Sequence, residues 1–354
     1  MLATALAGAG VGQQLTALAD AARRDLPDEA PLVPERFADW RAALAWMATM
    51  ADRAPLAILL DEVPWYVATT RTWPSHLQIL WDSLRRQARP PALLLVLTGS
   101  AVASMHALVD ASGALYGRAD DELAMEPFGL PTAAELLPGA APDAVIEAYA
   151  ACGGYPLHLR AWDTASTTKE NLERLVGAPG GLLALAGERM LADLPEDGGH
   201  RRVLHAVGSG ARTRSVIGRE AGQRLERPLE LLTRAGLLRV DRPLASPDHT
   251  PGRYELTDTY LRAWYALCWA DLGLIAGGQG KQVLTRRWPR WQRHLGWVFE
   301  EQARAHAVRL AAAGRLPSEA TYGRRWSTTG PQVEIDILGM TGRRAVLVSA
   351  GQAK

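Results

Sequence analysis

The stretch Leu56-Ala-Ile-Leu-Leu-Asp61-Glu62 decides the fold that we expect for this chain. Five consecutive apolar residues end abruptly in two carboxylates. A short apolar run without polar alternation is typical of a strand that is buried on both faces of a parallel sheet. The sequence therefore predicts that residues 56–60 lie in the interior and deliver Asp61 and Glu62 to one edge of a sheet.

A second run of the same kind follows one helix later. Residues 93–97 are Leu-Leu-Leu-Val-Leu, and they lead into Thr98-Gly99-Ser100. Between the two runs, the apolar positions of residues 77–87 recur at helical spacing. Strand, helix and strand in this order form a βαβ unit, so we expect an α/β domain with parallel strands.

The acidic pair at the end of the first run forms a Walker B pattern. In such a pattern the first carboxylate, here Asp61, holds Mg²⁺, and the second, here Glu62, polarises the attacking water. Parallel strands deliver such residues to the crevice where ligands bind. The alternative is a helix N-cap after a core strand, because aspartate is also a common capping residue.

Two further polar residues extend this candidate site. Ser100 follows the second strand, at the place where a polar side chain can sense the γ-phosphate. Arg118 lies in Leu115-Tyr116-Gly117-Arg118, and an arginine on a loop can stabilise transferred-phosphate charge. The alternative for Arg118 is a surface salt bridge with Asp120 or Asp121.

Composition excludes several other classes of protein. The chain has 354 residues, 48% of them hydrophobic, with a formal net charge of +1. The high hydrophobic content excludes a disordered chain. The net charge near zero excludes a protein whose overall electric field attracts nucleic acid or an anionic membrane. Two cysteines cannot form a disulfide framework, and no apolar run approaches the length of a membrane helix. We expect a cytoplasmic protein without a signal peptide and without membrane contact.

The second half of the chain is mostly helical in pattern. Helices are predicted from about residue 132 to residue 194, interrupted at Gly153-Gly154-Tyr155-Pro156. Residues 201–256 contain three short helical stretches and then two strand-like segments, which is the plan of a winged helix. A helix over residues 295–313 and strands over residues 333–338 and 344–349 complete the prediction.

Several of these motifs occur together, in order, in one family. The chain resembles the archaeal-type ATPases, which are P-loop ATPases of the AAA+/STAND group with a winged helix and a restriction-endonuclease-like C-terminal domain. The resemblance extends from about Phe37 to Lys354. It rests on the following residues: Phe37-Ala-Asp-Trp40, Leu59-Leu-Asp-Glu-Val-Pro-Trp-Tyr66, Leu77-Gln-Ile-Leu-Trp-Asp82, Thr98-Gly-Ser100, Ser104-Met105, Leu115-Tyr-Gly-Arg118, Pro127-Phe128 and Gly153-Gly-Tyr-Pro156.

The resemblance implies both an architecture and a ligand. The implied fold class is α/β, with a partial P-loop NTPase parallel sheet, a helical lid, a winged helix and a partial nuclease-like α/β domain. The expected boundaries are 1–130 for the ATPase core, 131–195 for the lid, 196–275 for the winged helix and 285–354 for the nuclease-like domain. The implied ligands are ATP and Mg²⁺, bound at Asp61, Glu62, Thr98, Ser100 and Arg118.

The resemblance also gives a role to a motif outside the expected core. Gly154 and Pro156 fall on the family's G-x-P element, whose proline approaches the adenine. A turn that starts a helix is the alternative for these two residues.

One essential part of the family's pattern is missing. A P-loop requires G-x-x-x-x-G-K-[ST], because its backbone amides and its lysine hold the phosphates. The only lysines are Lys169, Lys281 and Lys354, and none lies in such a motif. The stretch from Gly8 to Gln14 has glutamine in place of lysine, and we expect it to belong to a helix over residues 2–24 that follows an absent strand and P-loop. The copy is therefore expected to be truncated at its N-terminus or decayed, with weak nucleotide binding and no efficient hydrolysis.

A nucleotide-independent DNA-binding or interaction module is the alternative function. Arg212, Thr213 and Arg214 precede one helix of the predicted winged helix, and Arg227 and Arg234 lie on the next. Such a helix can place arginines on phosphates or guanines in the major groove. The alternative is that this unit packs between domains, and the partners we consider are DNA, another protein and a second copy of the chain.

A third hypothesis concerns the C-terminal segment. A PD-(D/E)xK nuclease needs an acidic residue on a helix, an aspartate on a strand and E-x-K on the next strand. Glu300, Asp336 and Lys354 occupy these places, but Gln352 replaces the glutamate. Charged surface residues beside a hairpin are the alternative.

The basic, tryptophan-rich segment from Arg286 to Arg293 also has two readings. It could hold phosphate or stack on bases, or it could bury its tryptophans and expose its arginines to solvent.

Overall fold

A computed structural model describes residues 1–100, 102–191, 194, 199–222, 225–244, 250–327, 334–341 and 344–349. The chain divides into two compact units, Met1–Ala124 and Met125–Lys354. Each unit contains a hydrophobic core built from its own residues. The predicted boundaries after residues 130, 195 and 275 remain predictions.

The first unit alternates strands and helices. Its described strands are β1 (Leu2–Thr4), β2 (Leu56–Asp61) and β3 (Leu93–Leu97). Its described helices are α1 (Val11–Asp25), α2 (Trp40–Arg53), α3 (Val63–Thr69), α4 (Trp73–Arg85) and α5 (Val102–Val109), with a short 3-10 turn over Pro27–Leu32.

The strands form a parallel sheet in the order β1-β2-β3. The central strand β2 buries Ile58 and Leu60 almost completely on one face, but Ala57 on the other face is exposed, so the prediction of burial on both faces is wrong for that face. On β3 no residue is fully buried, and Leu94 is 61% exposed. The parallel α/β arrangement is thus confirmed.

The predicted helix over residues 2–24 is wrong at its beginning. Residues 2–4 form β1, which pairs with β2 so that Leu2 lies opposite Leu59 and Thr4 opposite Asp61. The helix begins only at Val11. Three residues are too few to show a strand period, so pairing with β2 overrides the local helical pattern.

Aromatic packing fixes the helices that follow the sheet. Trp40, Tyr66 and Trp73 are buried, with ring centroids 5.0–6.1 Å apart. The helix α2 begins where Asp39 accepts a hydrogen bond from the amide of Ala42 at 2.8 Å. This cluster packs α2, α3 and α4 against one another, and α3 begins directly after Glu62.

The second unit is mostly helical. Its described helices are α6 (Leu130–Glu135), α7 (Pro142–Cys152), α8 (Pro156–Arg160), α9 (Thr168–Leu175), α10 (Leu182–Met190), α11 (His200–Ser209), α12 (Arg214–Ala221), α13 (Glu226–Arg234), α14 (Thr259–Leu267), α15 (Leu272–Ala276) and α16 (Gly280–Ala312). Its described strands are β4 (Leu238–Asp241), β5 (Arg253–Leu256), β6 (Thr321–Trp326), β7 (Glu334–Thr341) and β8 (Arg344–Ser349).

The helix α14 lies at the centre of this unit and packs against α7, α11 and α16. The helix α16 begins at Gly280, well before the predicted start at residue 295, and it continues through Pro289. Its buried stripe, which includes Trp291, His294 and Trp297, stabilises the turns around the proline. None of the helices in the described ranges is long and apolar enough to cross a membrane.

Two antiparallel sheets complete the unit. The strands β4 and β5 form a hairpin after α11, α12 and α13, as the predicted plan of three helices and two strands required. The strands β6, β7 and β8 form the other sheet in that order. The sequence predicted β7 and β8 but missed β6, because residues 321–326 contain glycine and two arginines and no apolar run.

A buried carboxylate connects the hairpin to its neighbours. Glu255 on β5 is 1% exposed, and its carboxylate accepts hydrogen bonds from Arg212 at 3.2 Å, Arg239 at 3.2 Å and Arg324 at 2.8 Å. Burial alone would raise the pKa of Glu255, but the charges of these arginines and of Arg262 lower it to about 2. The ion cluster therefore stabilises the ionised carboxylate and links β4, β5 and β6.

We predict that Glu255→Gln lowers the free energy of unfolding by about 3–5 kcal/mol, because it leaves several arginines without their shared carboxylate. Urea unfolding at pH 7 measures the loss. Glu230→Gln is the matched control, since its exposed pair with Arg234 contributes less than about 1 kcal/mol. A loss for Glu255→Gln as small as that of the control would contradict the prediction.

The same cluster predicts a dependence of stability on pH. The pKa of Glu255 falls from its ordinary value of 4.5 to about 2 in the folded chain. Its contribution is therefore complete above about pH 4.5 and is lost as the pH falls towards 2. Unfolding curves across this range should show a steeper acid loss for the wild type than for Glu255→Gln.

Candidate functional site

The carboxylate of Asp61 lies at the carboxyl edge of the parallel sheet, between two threonines. Thr98 donates a hydrogen bond to Oδ1 of Asp61 at 2.6 Å, and Thr4 donates one to Oδ2 at 3.2 Å. These threonines end or follow the two strands on either side of β2. The side chains that converge on Asp61 thus come from all three strands.

Backbone bonds fix the same edge. The amide of Ala5 donates to the carbonyl of Asp61 at 2.9 Å, and the amide of Val63 donates to the carbonyl of Thr98 at 3.0 Å. The parallel hydrogen-bond pairing therefore continues one residue past the strands. It places Thr4, Asp61 and Thr98 next to one another at the carboxyl edge of the sheet.

Glu62 has an unusual backbone conformation. Its φ of 55° and ψ of 42° are left-handed, and among the described residues it is the only non-glycine with a positive φ. Its carboxylate accepts a hydrogen bond from Ser100 at 3.1 Å. Glu62 stands at the N-cap position of α3 but makes no capping bond with its side chain, so the capping alternative does not explain the acidic pair.

Such a conformation costs roughly 1–3 kcal/mol in a residue other than glycine and is concentrated at functional sites. Here the turn directs the Glu62 side chain towards Ser100 instead of towards the first amides of α3. Both members of the acidic pair are consequently bound by hydroxyl groups that follow neighbouring strands.

A glycine-containing loop emerges at the same edge of the sheet. It connects β1 with α1, and Gly8 and Gly10 lie within it. Gln14 is fully buried and holds the loop by accepting from the amide of Leu6 at 2.9 Å and donating to its carbonyl at 2.7 Å. The expectation that this stretch belongs wholly to a helix is wrong, because a strand and a loop precede α1.

The sequence analysis missed Thr4 and Gln14. Thr4 is a polar residue at the end of a strand, as Asp61 is, but its strand has only three residues and is too short to predict from the sequence. Gln14 has no signal of its own, because a glutamine on a helix is ordinarily exposed. Only the bonds to Leu6 explain its burial.

Arg118 binds a different carboxylate. Its guanidinium makes two parallel bonds to Asp82 on α4, both 2.8 Å, and one bond to the carbonyl of Tyr116 at 2.9 Å. These bonds lower the pKa of Asp82. The alternative salt bridge with Asp120 is not the observed one, since Asp120 pairs with Arg85.

Gly154 and Pro156 lie in the second unit. Gly154 is buried, and a Cβ atom at its position would lie 2.0 Å from the carbonyl oxygen of Phe128. Its own carbonyl accepts a hydrogen bond from Phe128 at 2.8 Å. Pro156 is exposed in the first turn of α8. These contacts agree with the alternative of a turn that starts a helix.

The arginines predicted to contact DNA differ in their surroundings. Arg212 bonds to the buried Glu255, and Arg234 pairs with Glu230 at 2.8 Å. Thr213 precedes α12, and its hydroxyl lies 3.2 Å from that of Ser215. Arg214 and Arg227 are exposed, and neither forms an ion pair with any part of the chain that the structure describes.

The residues predicted for a nuclease are partly brought together. Burial and the nearby charge of Asp336 raise the pKa of Glu300. Arg304 and Arg324 each lie 4.0 Å from the Glu300 carboxylate, and both make closer ion pairs with other carboxylates, Arg304 with Glu301 and Arg324 with Glu255. Lys354 lies outside the described residues. Within those residues, no cluster of three or more His, Cys, Asp or Glu side chains could hold a metal ion.

The basic segment of α16 buries Trp291, while Arg286 and Arg287 both pair with Asp271 at 2.7 Å. Trp291 and the exposed Arg286 agree with the alternative of buried tryptophan and solvated arginine, but Arg287 does not, because its side chain is only 15% exposed.

Comparisons with known proteins agree with this α/β architecture. The fold is similar to that of the Walker-type ATPase PABY2304 of Pyrococcus abyssi, with a TM-score of 0.51, 18% identity, and coverage of 75% of this chain and 83% of that chain. The chain has a mixed α/β fold with a three-stranded parallel sheet, similar to the fold of that ATPase. This likeness confirms the predicted fold class at the level of the mixed α/β sheet.

Sequence comparisons point to related archaeal and bacterial proteins. Residues 264–350 match the sequence profile of DUF234, which is described as archaea bacterial proteins of unknown function. The chain is also 21% identical over 328 residues to the uncharacterized protein MJECL04 of Methanocaldococcus jannaschii, covering 90% of this chain and 71% of that protein.

The geometry of Glu62 yields a prediction about stability. Glu62→Gly should raise the free energy of unfolding by about 1 kcal/mol, because glycine adopts the left-handed conformation without strain. Glu62→Gln keeps the strain and serves as the matched control, with a change below about 0.5 kcal/mol. Urea unfolding of the two variants and the wild type measures the difference. A glycine variant less stable than the glutamine variant would refute the assignment of strain.

Proposed function

We propose that this chain is an archaeal-type ATPase relative that binds Mg²⁺-ATP weakly at the carboxyl edge of its parallel sheet and hydrolyses it poorly. One observation carries the proposal: Asp61 and Glu62 end the central strand, and hydroxyl groups that follow or end the flanking strands bind both carboxylates. The residues needed to hold a metal and orient water are therefore close together.

The side chains at this edge suit magnesium. Asp61, Glu62, Thr4, Thr98 and Ser100 offer only oxygen atoms, which are the ligands that Mg²⁺ prefers. Magnesium usually takes one or two carboxylates from the protein and completes its shell with phosphate and water oxygens. The small number of protein carboxylates here fits that mode of binding.

Each residue has a distinct proposed role. Asp61 binds the metal directly or through water, and Thr4 and Thr98 keep its two oxygens in place. Glu62 orients a water molecule, and Ser100 holds the Glu62 carboxylate while sensing the terminal phosphate. When bound, Mg²⁺ supplies neutralisation of the phosphate charge.

The phosphate-binding half of the site is weak. The loop between β1 and α1 presents backbone amides but has no lysine, since Gln13 and Gln14 occupy its end. The side chain of Gln13 also turns back to accept from the amide of Gly10 at 3.0 Å. Arg118 is engaged by Asp82. Among the described residues of the first unit, no cation forms an ion pair with Asp61, and Arg36 lies beside Gly12 at the start of α1. The missing lysine is the reason for the proposed low turnover.

Binding of a fluorescent ATP analogue, with and without Mg²⁺, tests the site. Asp61→Asn should weaken the Mg²⁺-dependent binding by about tenfold, the value of one charge-assisted contact. Glu62→Gln should change the affinity by less than about threefold, since it keeps an oxygen for Ser100. Asp120→Asn is the matched surface control. Binding that is identical with and without Mg²⁺, and unchanged in Asp61→Asn, would refute the site.

Phosphate release measures hydrolysis in the same samples. We expect the wild type to release phosphate from ATP no faster than the Glu62→Gln variant does. Turnover by the wild type that disappears in Glu62→Gln would show that hydrolysis is intact and would overturn the proposed impairment.

A second candidate function is nucleotide-independent DNA binding by a winged helix. Two observations support it: the order α11, α12, α13, β4 and β5, and the exposure of Arg214 and Arg227, which form no ion pair within the described ranges of the chain. The groove beside α13, of about 510 Å³, is less favourable, because Glu226 and Glu230 line it together with Arg214 and Arg234. This mixture of charges fits a protein surface as well as a phosphate backbone.

A gel-shift titration separates the two functions. If the unit binds DNA, the double variant Arg214→Ala/Arg227→Ala should bind duplex DNA at least tenfold more weakly than the wild type and have a shallower salt dependence. Arg189→Ala, an exposed arginine on α10, is the control. Equal binding by the double variant and the control would remove the winged helix from consideration. The nuclease hypothesis predicts Mg²⁺-dependent nicking that Asp336→Ala abolishes.

A further inference from the structure

The second unit contains a cavity that the proposed ATP site does not use. It has a volume of about 370 Å³, within the roughly 300–1,000 Å³ that small-ligand pockets occupy. Its floor is formed by apolar residues of α7 and the preceding turn, and Trp162 and Trp288 contribute indole rings to its wall. Trp162 is almost fully buried and Trp288 is partly exposed, so the cavity lies between a buried indole and one nearer the surface.

The polar part of the lining is rich in hydrogen-bond acceptors. The hydroxyl of Thr168 donates to the carboxylate of Glu147, which also lines the cavity. The hydroxyl of Ser166 donates to Asp163 at 2.6 Å, and that of Thr167 donates to Glu170 at 2.7 Å. Because these protons are engaged, the hydroxyl oxygens present mainly lone pairs to a ligand.

The charges around the cavity favour a cation. Glu147 is the carboxylate of the lining. Asp163 and Glu170 lie outside the lining but bond to the hydroxyls of Ser166 and Thr167 in it, and Arg174 acts on Asp163 from nearby. Lys169 is the opposing charge in the lining, but its side chain is exposed and has no ion partner in the described part of the chain. Solvent therefore screens Lys169 more strongly than it screens Glu147.

We propose that this cavity binds a small organic cation with an aromatic or apolar body, whose charged group faces Glu147 and the indoles of Trp162 and Trp288. The faces of indole rings attract cations, most strongly where water is excluded. The carboxylate adds Coulomb attraction, and the alanines and Leu137 on the floor accommodate the apolar body. The site is independent of Asp61 and of any nucleotide.

Calorimetric titration of the full chain with benzyltrimethylammonium tests the proposal, with benzoate as the probe of similar size and opposite charge. The ammonium ion should bind at least tenfold more tightly than benzoate. Glu147→Gln keeps an acceptor for Thr168 and should weaken ammonium binding by roughly tenfold, and Trp288→Leu should weaken it by roughly fivefold or more. Lys169→Met should leave the affinity unchanged or increase it.

Trp65→Leu, at a half-exposed indole in the first unit, is the matched control and should have no effect. Circular dichroism melting checks that each variant folds. If Glu147→Gln does not fold, the comparison of the two probes and the Trp288→Leu variant still decide the question. Absence of binding at 10 mM probe, tighter binding of benzoate, ammonium binding that Trp288→Leu leaves unaltered, or weaker ammonium binding in Lys169→Met would overturn the proposal.

Discussion

The parallel hydrogen-bond ladder that places β2 between β1 and β3 is the constraint on which the candidate site depends. Parallel strands end at the same edge, so Thr4, Asp61 and Thr98 emerge side by side although up to 94 residues separate them in sequence. A shift of one residue in either pairing would turn one of these side chains to the opposite face of the sheet. The buried side chains of Ile58 and Leu60 fix that register.

In the proposed site of the first unit, the residues assigned to metal binding are more complete than those assigned to phosphate binding. Hydroxyls fix both members of the acidic pair, and the strained turn at Glu62 persists. The loop next to this edge is ordered by Gln14 rather than by a phosphate-binding lysine. Fold similarity to a Walker-type ATPase therefore does not by itself establish the chemistry, because function depends on the particular residues of a site.

The second unit uses charge differently. Around Glu255, and again around Glu300, arginines occupy the positions where a ligand cation could otherwise bind a carboxylate. Breaking such a buried network costs much more than breaking an exposed pair. We infer that these acidic residues contribute mainly to the association of the hairpin, the C-terminal sheet and α16. Near Glu147, by contrast, the acidic residue faces a cavity instead of an arginine.

The sequence by itself determined the features that rest on local pattern. The apolar runs before Asp61 and Thr98 specified two parallel strands, and helical periodicity specified most helices, because burial selects the same residue spacing in every protein. The absence of a P-loop lysine was also evident from the sequence, because the positions of the three lysines can be read without a structure. Tertiary structure decided the rest: that residues 2–4 form a strand, that Arg118 binds Asp82, that Gln14 is buried and that residues 321–326 pair with β7. Each of these outcomes depends on a partner outside the element itself: for Gln14 it is Leu6, 8 residues earlier, and for Arg118 it is Asp82, 36 residues earlier. A pattern along one strand or helix contains no information about which partner that is.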